Sequence, residues 1–504
     1  MLFTIVDCYT DEPAGLGVPP YIGTYPRYIA GAVLAAGHNV RYLTIDDLRS
    51  LFLKEAKRPR KTNIRLKNRS KNHDVEAILN ETDFLIVIAG VHTPGKYLSA
   101  VPGTVAEIRK YLRDIECFKI LTGPVTYGSG LYGGRKAALP REGFDLIASD
   151  LEYKFERLLE NKFLEDVHAD VSYDKISNTA VLGSRIVREH PDFPQFLMAE
   201  IETSRGCSRR IGCSFCLEPL KGEPEYREQE DIIREMKALN ELGVRNFRLG
   251  KQSCIYSYKN NADELEKLFS GIKKNIRYDV LHIDNANPAE VDEKKTKILA
   301  EYCTPGNVAA FGVESFDPVV IKENNLNTNP EQTYNAVKIL NKYGAKRGDN
   351  GMPLFLPGIN ILYGLKGENK DTNEENLKWL KKMMDDGLLF RRINIREVVI
   401  FPGTKMAEIG DRFLRKGRKR YWKWRNAIRQ DIDNPMMKKI IPEGTILKNL
   451  RTEVWDGNTT FARQTGTYPL IVGIKKRLDL NQFVDVRITG HMLRSAVGEL
   501  DKKE

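Results

Sequence analysis

Three of the chain's seven cysteines, Cys207, Cys213 and Cys216, lie within ten residues in the pattern Cys-x5-Cys-Ser-Phe-Cys. Thiolates are ligands for iron–sulfur clusters and for zinc. Three on one loop can hold three corners of a cubane and leave one iron open to a substrate or cosubstrate. A structural zinc site wants a fourth ligand. Cys254, Cys303 or His190 could supply one, although none stands at a finger-like spacing. Simple packing is the third alternative, and it is the reading for Cys8, Cys254 and Cys303. An odd cysteine count in a long chain with no visible secretion signal argues against a disulfide framework.

Such a loop needs a scaffold, and the flanking pattern supplies one. Strand candidates at 197–202, 246–249, 280–284, 309–313, 359–363 and 393–400 alternate with helices at 228–242, 263–274, 331–343 and 373–386. Six repeats of this kind suggest a partial parallel barrel over residues 196–440, with its site at the carboxyl ends of the strands. The cysteine loop follows the first of them. Residues 1–160 also alternate strand and helix, with a continuously apolar FLIVIA at 84–89, as expected of a doubly wound parallel sheet. Its glycine- and proline-rich loops fall at strand carboxyl ends, where ligands sit in such sheets. Residues 161–195 read as a connector. From 441 to 504 the pattern becomes β-type, a small all-β barrel of OB-like character. The fold class is α/β in the first two parts and all-β in the third.

The 504 residues suffice for about three domains without disulfide staples. No apolar run approaches the ~18 residues that span a bilayer, so the expectation is a cytoplasmic protein with no membrane partner. Lys and Arg outnumber Asp and Glu by 79 to 68. Residues 54–71 are strongly basic without aromatics and read as a solvated loop. Residues 412–429 carry nine basic residues, no acid, and Tyr421, Trp422 and Trp424 between them. Basic residues interleaved with aromatics fit polyanion binding, and equally a solvated helix whose aromatics pack on the core.

The cysteine motif resembles that of the radical S-adenosylmethionine (SAM) superfamily, with a longer first gap than the usual C-x3-C-x-aromatic-C. The resemblance continues along the barrel through FRLGKQS, FGVESFDPVV, PGINILYGLKGE and INIREVVIFPGT. It implies that Cys207, Cys213 and Cys216 ligate a four-iron–four-sulfur cluster whose open iron binds SAM. It points to Phe215, Gly250, Gln252, Asp284, Glu314, Ser315, Asn360 and Gly364 as cofactor-binding residues.

The N-terminal part resembles the cobalamin-binding-like domain upstream of many such barrels, through VPPYIGTYPRYIAGAVLAAGHNVRYLTID and FDLIASDLEYKFERLL. This makes cobalamin a candidate cofactor, although the D-x-H-x-x-G motif for an axial histidine is absent and only His92 lies in a suitable loop. The ending VDVRITGHMLRSAVGEL resembles the TRAM domain of tRNA methylthiotransferases. Those enzymes carry a second cluster on three N-terminal cysteines, whereas this chain has only Cys8 and Cys117 there, which argues against sulfur transfer.

The resemblance implies a radical SAM enzyme that functionalises a C–H position in RNA, tRNA first, with methyl transfer if cobalamin binds. An electron donor such as ferredoxin or flavodoxin is the implied protein partner. RNA-binding candidates are Arg418, Lys419, Trp422, Trp424, Arg463, Lys475, Arg487 and Arg494. Two other readings stand beside it: a small-molecule, lipid or peptide substrate, and an RNA-binding protein whose cluster is structural.

Overall fold

Alternate residues of the first strand, Leu2–Asp7, point into two different cores, and that alternation organises the N-terminal part. Phe3 and Ile5 face the helices Thr24–Ala35 and Leu151–Glu160, while Val6 faces Ile45–Phe52, Val75–Glu81 and Val105–Tyr111. The structure is a computed structural model. It describes residues 1–9, 20–52, 68–72, 74–90, 101–128, 133–140, 142–168, 171–209 and 211–501. The basic stretch up to residue 67 and His92 lie outside the described residues.

The N-terminal sheet is all parallel, in the order Asn39–Thr44, Leu2–Asp7, Phe84–Ile88, Phe118–Thr122, Leu146–Ile147. Its strand order reverses between Leu2–Asp7 and Phe84–Ile88, which opens a crevice beyond their carboxyl ends. The connector expected at 161–195 contains a helix instead, Tyr173–Gly183, continued by a 3-10 turn at Ser184–Glu189. It crosses the helix Thr24–Ala35 at glycines. A Cβ on Gly183 would overlap the Arg27 carbonyl, and one on Gly31 would overlap that of Thr179. The backbones meet only because both side chains are absent.

Six parallel strands follow: Met198–Glu202, Asn246–Gly250, Val280–Ile283, Asn307–Glu314, Phe355–Tyr363 and Ile393–Glu397. The first three form one sheet and the last three another. Asp284 joins them, because Asn285–Ala286 just beyond it pairs with Asn307–Glu314. The result is an open, curved half-barrel with two edges, and exposed edges invite unwanted pairing. The N-terminal part covers one and flanks the other, whose Ile393 and Ile395 backbone groups also bond Arg429, Asp433 and Tyr421. Tyr21–Ile22 adds a parallel strand beside Met198–Ala199. Arg135–Lys136 pairs with Val399–Ile400, just after the sixth strand.

Five strands, Ile446–Asp456, Thr459–Gln464, Ile471–Ile474, Phe483–His491 and Ala496–Leu500, close into a C-terminal barrel. The loop between the second and third of these enters the half-barrel. Tyr21 donates its phenol proton to the Gly466 carbonyl, and the Thr467 N–H donates to His282 Nδ1 over 3.1 Å. No helix among the described residues is long and apolar enough to cross a membrane.

Candidate active site

The cysteine loop leaves the first half-barrel strand at its carboxyl end and is bracketed by a short hairpin, Ser204–Arg205 against Glu225–Tyr226. Gly206 turns with φ +77°, and a Cβ there would press on the Gly222 and Glu223 carbonyls. The loop is fixed mainly by its backbone. Ser214 N–H donates to the Asn324 carbonyl (3.0 Å), and Met406 N–H donates to that of Ser214 (2.7 Å). Asn325 Nδ2 donates to the Ile211 carbonyl (2.6 Å). Phe215 and Cys213 pack on an apolar cluster of Val320, Leu326, Leu365, Val398 and Leu414.

The thiols themselves are left almost uncommitted. Arg209 donates to Cys213 Sγ over 3.3 Å. Burial pushes Cys213 up to about 11 and raises Cys216 further, and each also feels its neighbouring cysteines. Among the described residues no three His, Cys, Asp or Glu converge to hold a single metal ion. The donor set on this loop is three thiolates, which fits an iron–sulfur cluster with one iron left open. Neither Cys254 nor Cys303 joins them. Both are buried in the core, and Cys254 Sγ accepts the Asn287 N–H at 3.2 Å. His190 is buried against Tyr42, its Nδ1 accepting the Asp192 N–H.

Glu314 ends the fourth strand in a left-handed conformation, φ +62°, costly for a residue with a Cβ. Burial raises its carboxyl to about 7, against a smaller opposing effect of Arg396, and it lies close enough to Cys213 to influence that thiol. Ser315 caps the following turn through the Asp317 N–H. Gly364 needs its glycine, with φ +91° and Leu414 and Val398 where a Cβ would be. Its N–H donates to Glu368 (2.5 Å). Asn360 is half-buried on the fifth strand. Gly250 lies over the Glu200 carboxylate, which a Cβ would hit. Gln252 donates to the Leu249 carbonyl, leaving its buried Oε1 without a partner.

Asp284 differs from the cofactor contact expected of it. It pairs with Arg248 and accepts the Tyr468 phenol. Arg248 also pairs with Glu200 at 2.7 Å, and the Arg392 guanidinium lies 4.2 Å from the Tyr468 ring centroid. Asp284 thus belongs to a closed network in the lumen. Sequence reasoning missed Tyr468, since nothing local ties position 468 to 284.

A second missed group lies between the N-terminal part and the half-barrel. Lys251 is held at φ +57°, with Nζ 3.2 Å from Glu202 and 4.0 Å from the Tyr25 ring centroid. Glu152 is raised to about 7 by burial, with Lys251 opposing. Arg205 stacks on Tyr153. The signal was present in charged residues at predicted strand and helix ends.

The RNA-binding candidates divide. Arg418, Lys419 and Trp422 are exposed on the helix Arg412–Ile428, whereas Trp424 is 7% exposed and packs against Tyr363. Trp424 is therefore corrected to a core residue. Arg463 is also corrected: it is largely covered, and its Nε and Nη2 both donate to Glu453 Oε1. Lys475, Arg487 and Arg494 are exposed on the C-terminal barrel, Arg487 bonded to Asp501.

Comparison with known proteins agrees with this geometry. The profile of the Radical SAM superfamily matches residues 201–380. An uncharacterized protein of Methanocaldococcus jannaschii is 44% identical, over 98% of this chain and 92% of its own. One from Archaeoglobus fulgidus is 39% identical, over 98% and 89%. Among solved structures, the apo form of OxsB, a cobalamin-dependent S-adenosylmethionine radical enzyme, has the same fold at a TM-score of 0.50 and 14% identity. That alignment covers 82% of this chain and 56% of OxsB, so the chain spans little more than half of that enzyme.

Proposed function

Since the chain belongs to the radical SAM superfamily, we propose that this radical SAM enzyme functionalises a C–H position in RNA, with tRNA the first substrate class. The observation that carries the chemistry is the loop of three neighbouring thiols, with the buried Glu314 close enough to Cys213 to influence it. Cys207, Cys213 and Cys216 would hold the four-iron–four-sulfur cluster. Held there, the cluster and SAM together would supply one-electron chemistry able to activate an unreactive C–H bond.

The remaining work falls to this chain's own side chains. Gly250 leaves room for the Glu200 carboxylate beneath it, and the free Gln252 Oε1 offers an acceptor two residues on. Glu314 is a buried carboxyl facing only the opposing effect of Arg396, so a cationic ammonium group brought close would favour its ionised form. Ser315, Asn360 and Gly364 line the same end of the strands, and Phe215 stands between two of the thiols. Glu200, Arg248, Asp284 and Tyr468 hold one another in a buried polar network next to these residues.

RNA is supported by the closed five-stranded barrel, which is compatible with a TRAM-like module, and by the exposed basic residues on it and on the helix Arg412–Ile428. A corrinoid is supported by the crevice of the N-terminal sheet and by the likeness in fold to OxsB. Among the described residues at those strand ends there is no histidine, so cobalamin would bind there without a histidine from them. With it, a methyl group is the cargo. Sulfur transfer is disfavoured by the two cysteines, rather than three, in the N-terminal part.

The test is anaerobic reconstitution and reduction, followed by assay of 5′-deoxyadenosine with and without total tRNA, and mass spectrometry of the recovered nucleosides. A tRNA-dependent rise with a new modified nucleoside is expected. Cleavage of SAM with no change in any RNA pool would overturn the RNA reading and leave the radical chemistry standing.

A further inference from the structure

The helix Arg412–Ile428 is built against its own local physics. Leu414, Gly417, Tyr421, Trp424 and Ile428, spaced three or four apart, form its buried spine. Its opposite side exposes Arg412, Arg415, Lys416, Arg418, Lys419 and Lys423, with no acid anywhere in the helix. Most of these charges fall in the first half, where the helix dipole disfavours cations. Arg412 and Lys416, Arg415 and Lys419, and Lys419 and Lys423 are like-charged pairs at i,i+4, which repel. The compensation is small: Asp411 pairs with Arg415 at 3.1 Å. In the middle of this charge stands Trp422, 65% exposed, with the Arg425 guanidinium 5.2 Å from its ring centroid.

Both ends of the helix lead somewhere. At the N-terminal end Leu414 belongs to the apolar cluster on which Cys213 and Phe215 pack. At the other, the chain turns through Asn434, whose Nδ2 donates to the Met492 carbonyl (2.8 Å) at the tip of a C-terminal barrel hairpin. Met492 and Leu493 are exposed there, and Arg494 lies within electrostatic reach of Arg425 and Arg429. A 17-residue helix is about 26 Å long. The outer face is therefore positively charged along the helix with Trp422 exposed on it, and the buried face beneath its first turn packs, through Leu414, on the cluster that supports the cysteine loop.

From this juxtaposition we propose that the outer face of Arg412–Ile428, continued by Met492–Arg494, docks an unpaired segment of RNA and leads it toward the cysteine loop. The inference rests on the RNA reading above and narrows its substrate to a loop, bulge or single-stranded end. Phosphates match the charge, and an unstacked base matches Trp422. Duplex RNA offers phosphates but keeps its bases stacked, so it would leave the indole unused.

The test uses the full-length reconstituted protein and two labelled probes: a stem–loop RNA with an unpaired loop, and a blunt duplex of equal length. Trp422→Ala is expected to weaken stem–loop binding roughly tenfold and to leave duplex binding unchanged. The triple substitution Arg415→Gln, Lys419→Gln, Lys423→Gln is expected to lower the slope of log K against log salt by about 2. An unchanged thermal midpoint in both variants shows that the fold is intact. If the parent protein binds the stem–loop and both variants bind it equally well, this surface is not the docking site, while the RNA reading survives. If the parent binds neither probe, the RNA reading falls and this proposal with it. Polyglutamate competing on equal terms with the stem–loop overturns the proposal in favour of an acidic protein partner.

Discussion

Tyr468 donates a 2.6 Å hydrogen bond to Asp284 across 184 positions of sequence. The phenol arrives on a loop of the C-terminal barrel, and the carboxylate stands where the half-barrel passes from its first sheet to its second. Asp284, Arg248 and Glu200 form one buried chain of charges that ends beneath Gly250. The C-terminal barrel thus supplies part of the floor of the candidate active site, whatever else it binds.

The network yields a graded stability series. Tyr468→Phe removes one hydrogen bond to a carboxylate and is expected to cost about 1.5–3 kcal/mol. Arg248→Met leaves Asp284 and Glu200 buried without their cation and is expected to cost about 3–5 kcal/mol. Chemical denaturation of the apo-protein measures both. Equal, small losses would mean that the lumen is wetter than its burial indicates.

Cysteine substitutions separate ligands from packing residues. Cys207→Ala, Cys213→Ala and Cys216→Ala are each expected to abolish cluster absorbance and 5′-deoxyadenosine formation after reconstitution. Cys254→Ala and Cys303→Ala are expected to keep the iron content of the parent. Iron lost from either of the last two would reinstate a second metal site.

His282 makes the protein acid-sensitive through the same loop. Burial depresses its pKa to about 3, and its neutral Nδ1 accepts the Thr467 N–H. The unfolded chain takes up this proton below about pH 6.5 and the folded chain does not. The His282 contribution to stability is therefore constant above pH 6.5 and falls as pH drops toward 3, by about 2–3 kcal/mol at pH 4.5, while the buried Glu152 and Glu314, raised to about 7, contribute in the opposite direction over the same range. Denaturation of the parent and of His282→Gln at pH 7 and 4.5 checks this: the change in stability from pH 7 to 4.5 is expected to be less favourable in the parent than in the variant by about 2–3 kcal/mol.

Much of this architecture was legible in the residues, and the exceptions have causes. All six half-barrel strands appear near their expected places because each is a short apolar run between punctuating loops. The helix Tyr173–Gly183 was missed because SYDKISNTAVLG mixes polar and apolar residues without a strong stripe. Its packing surface is made by absent side chains, at Gly31 and Gly183. Trp422 and Trp424 are two residues apart in one basic run, and only the helical turn decides that one is bare and the other buried. Arg463 looked like a surface charge until Glu453, on the neighbouring strand, was seen to bind it. Neighbours brought together by folding carry the site's electrostatics, and a linear reading does not contain them.

The glycine crossing gives a sharp check on that account. Gly183→Ala drives a methyl group into the Arg27 carbonyl and is expected to cost about 3 kcal/mol. Gly387→Ala is a poor control because its φ of +77° is strained in any case. Asn178→Ala, exposed on the same helix, is the better comparison, since it raises helix propensity and removes only an exposed side chain. A similar loss in both would show that the crossing is not tight.

The two strands that the N-terminal part lends to the half-barrel, Tyr21–Ile22 at one edge and Arg135–Lys136 beyond the other, tie the two parts together like a handle fixed at both ends. A lid hinged on one side can swing, whereas a handle cannot lift without breaking backbone pairs at both of its ends. Substrate entry that needed the two parts to separate would therefore demand local unfolding rather than rotation. It also follows that residues 196–440 expressed alone would leave the outer edge of Met198–Glu202 unpaired and open to association, whereas Tyr421, Arg429 and Asp433 would still cap the edge of Ile393–Glu397.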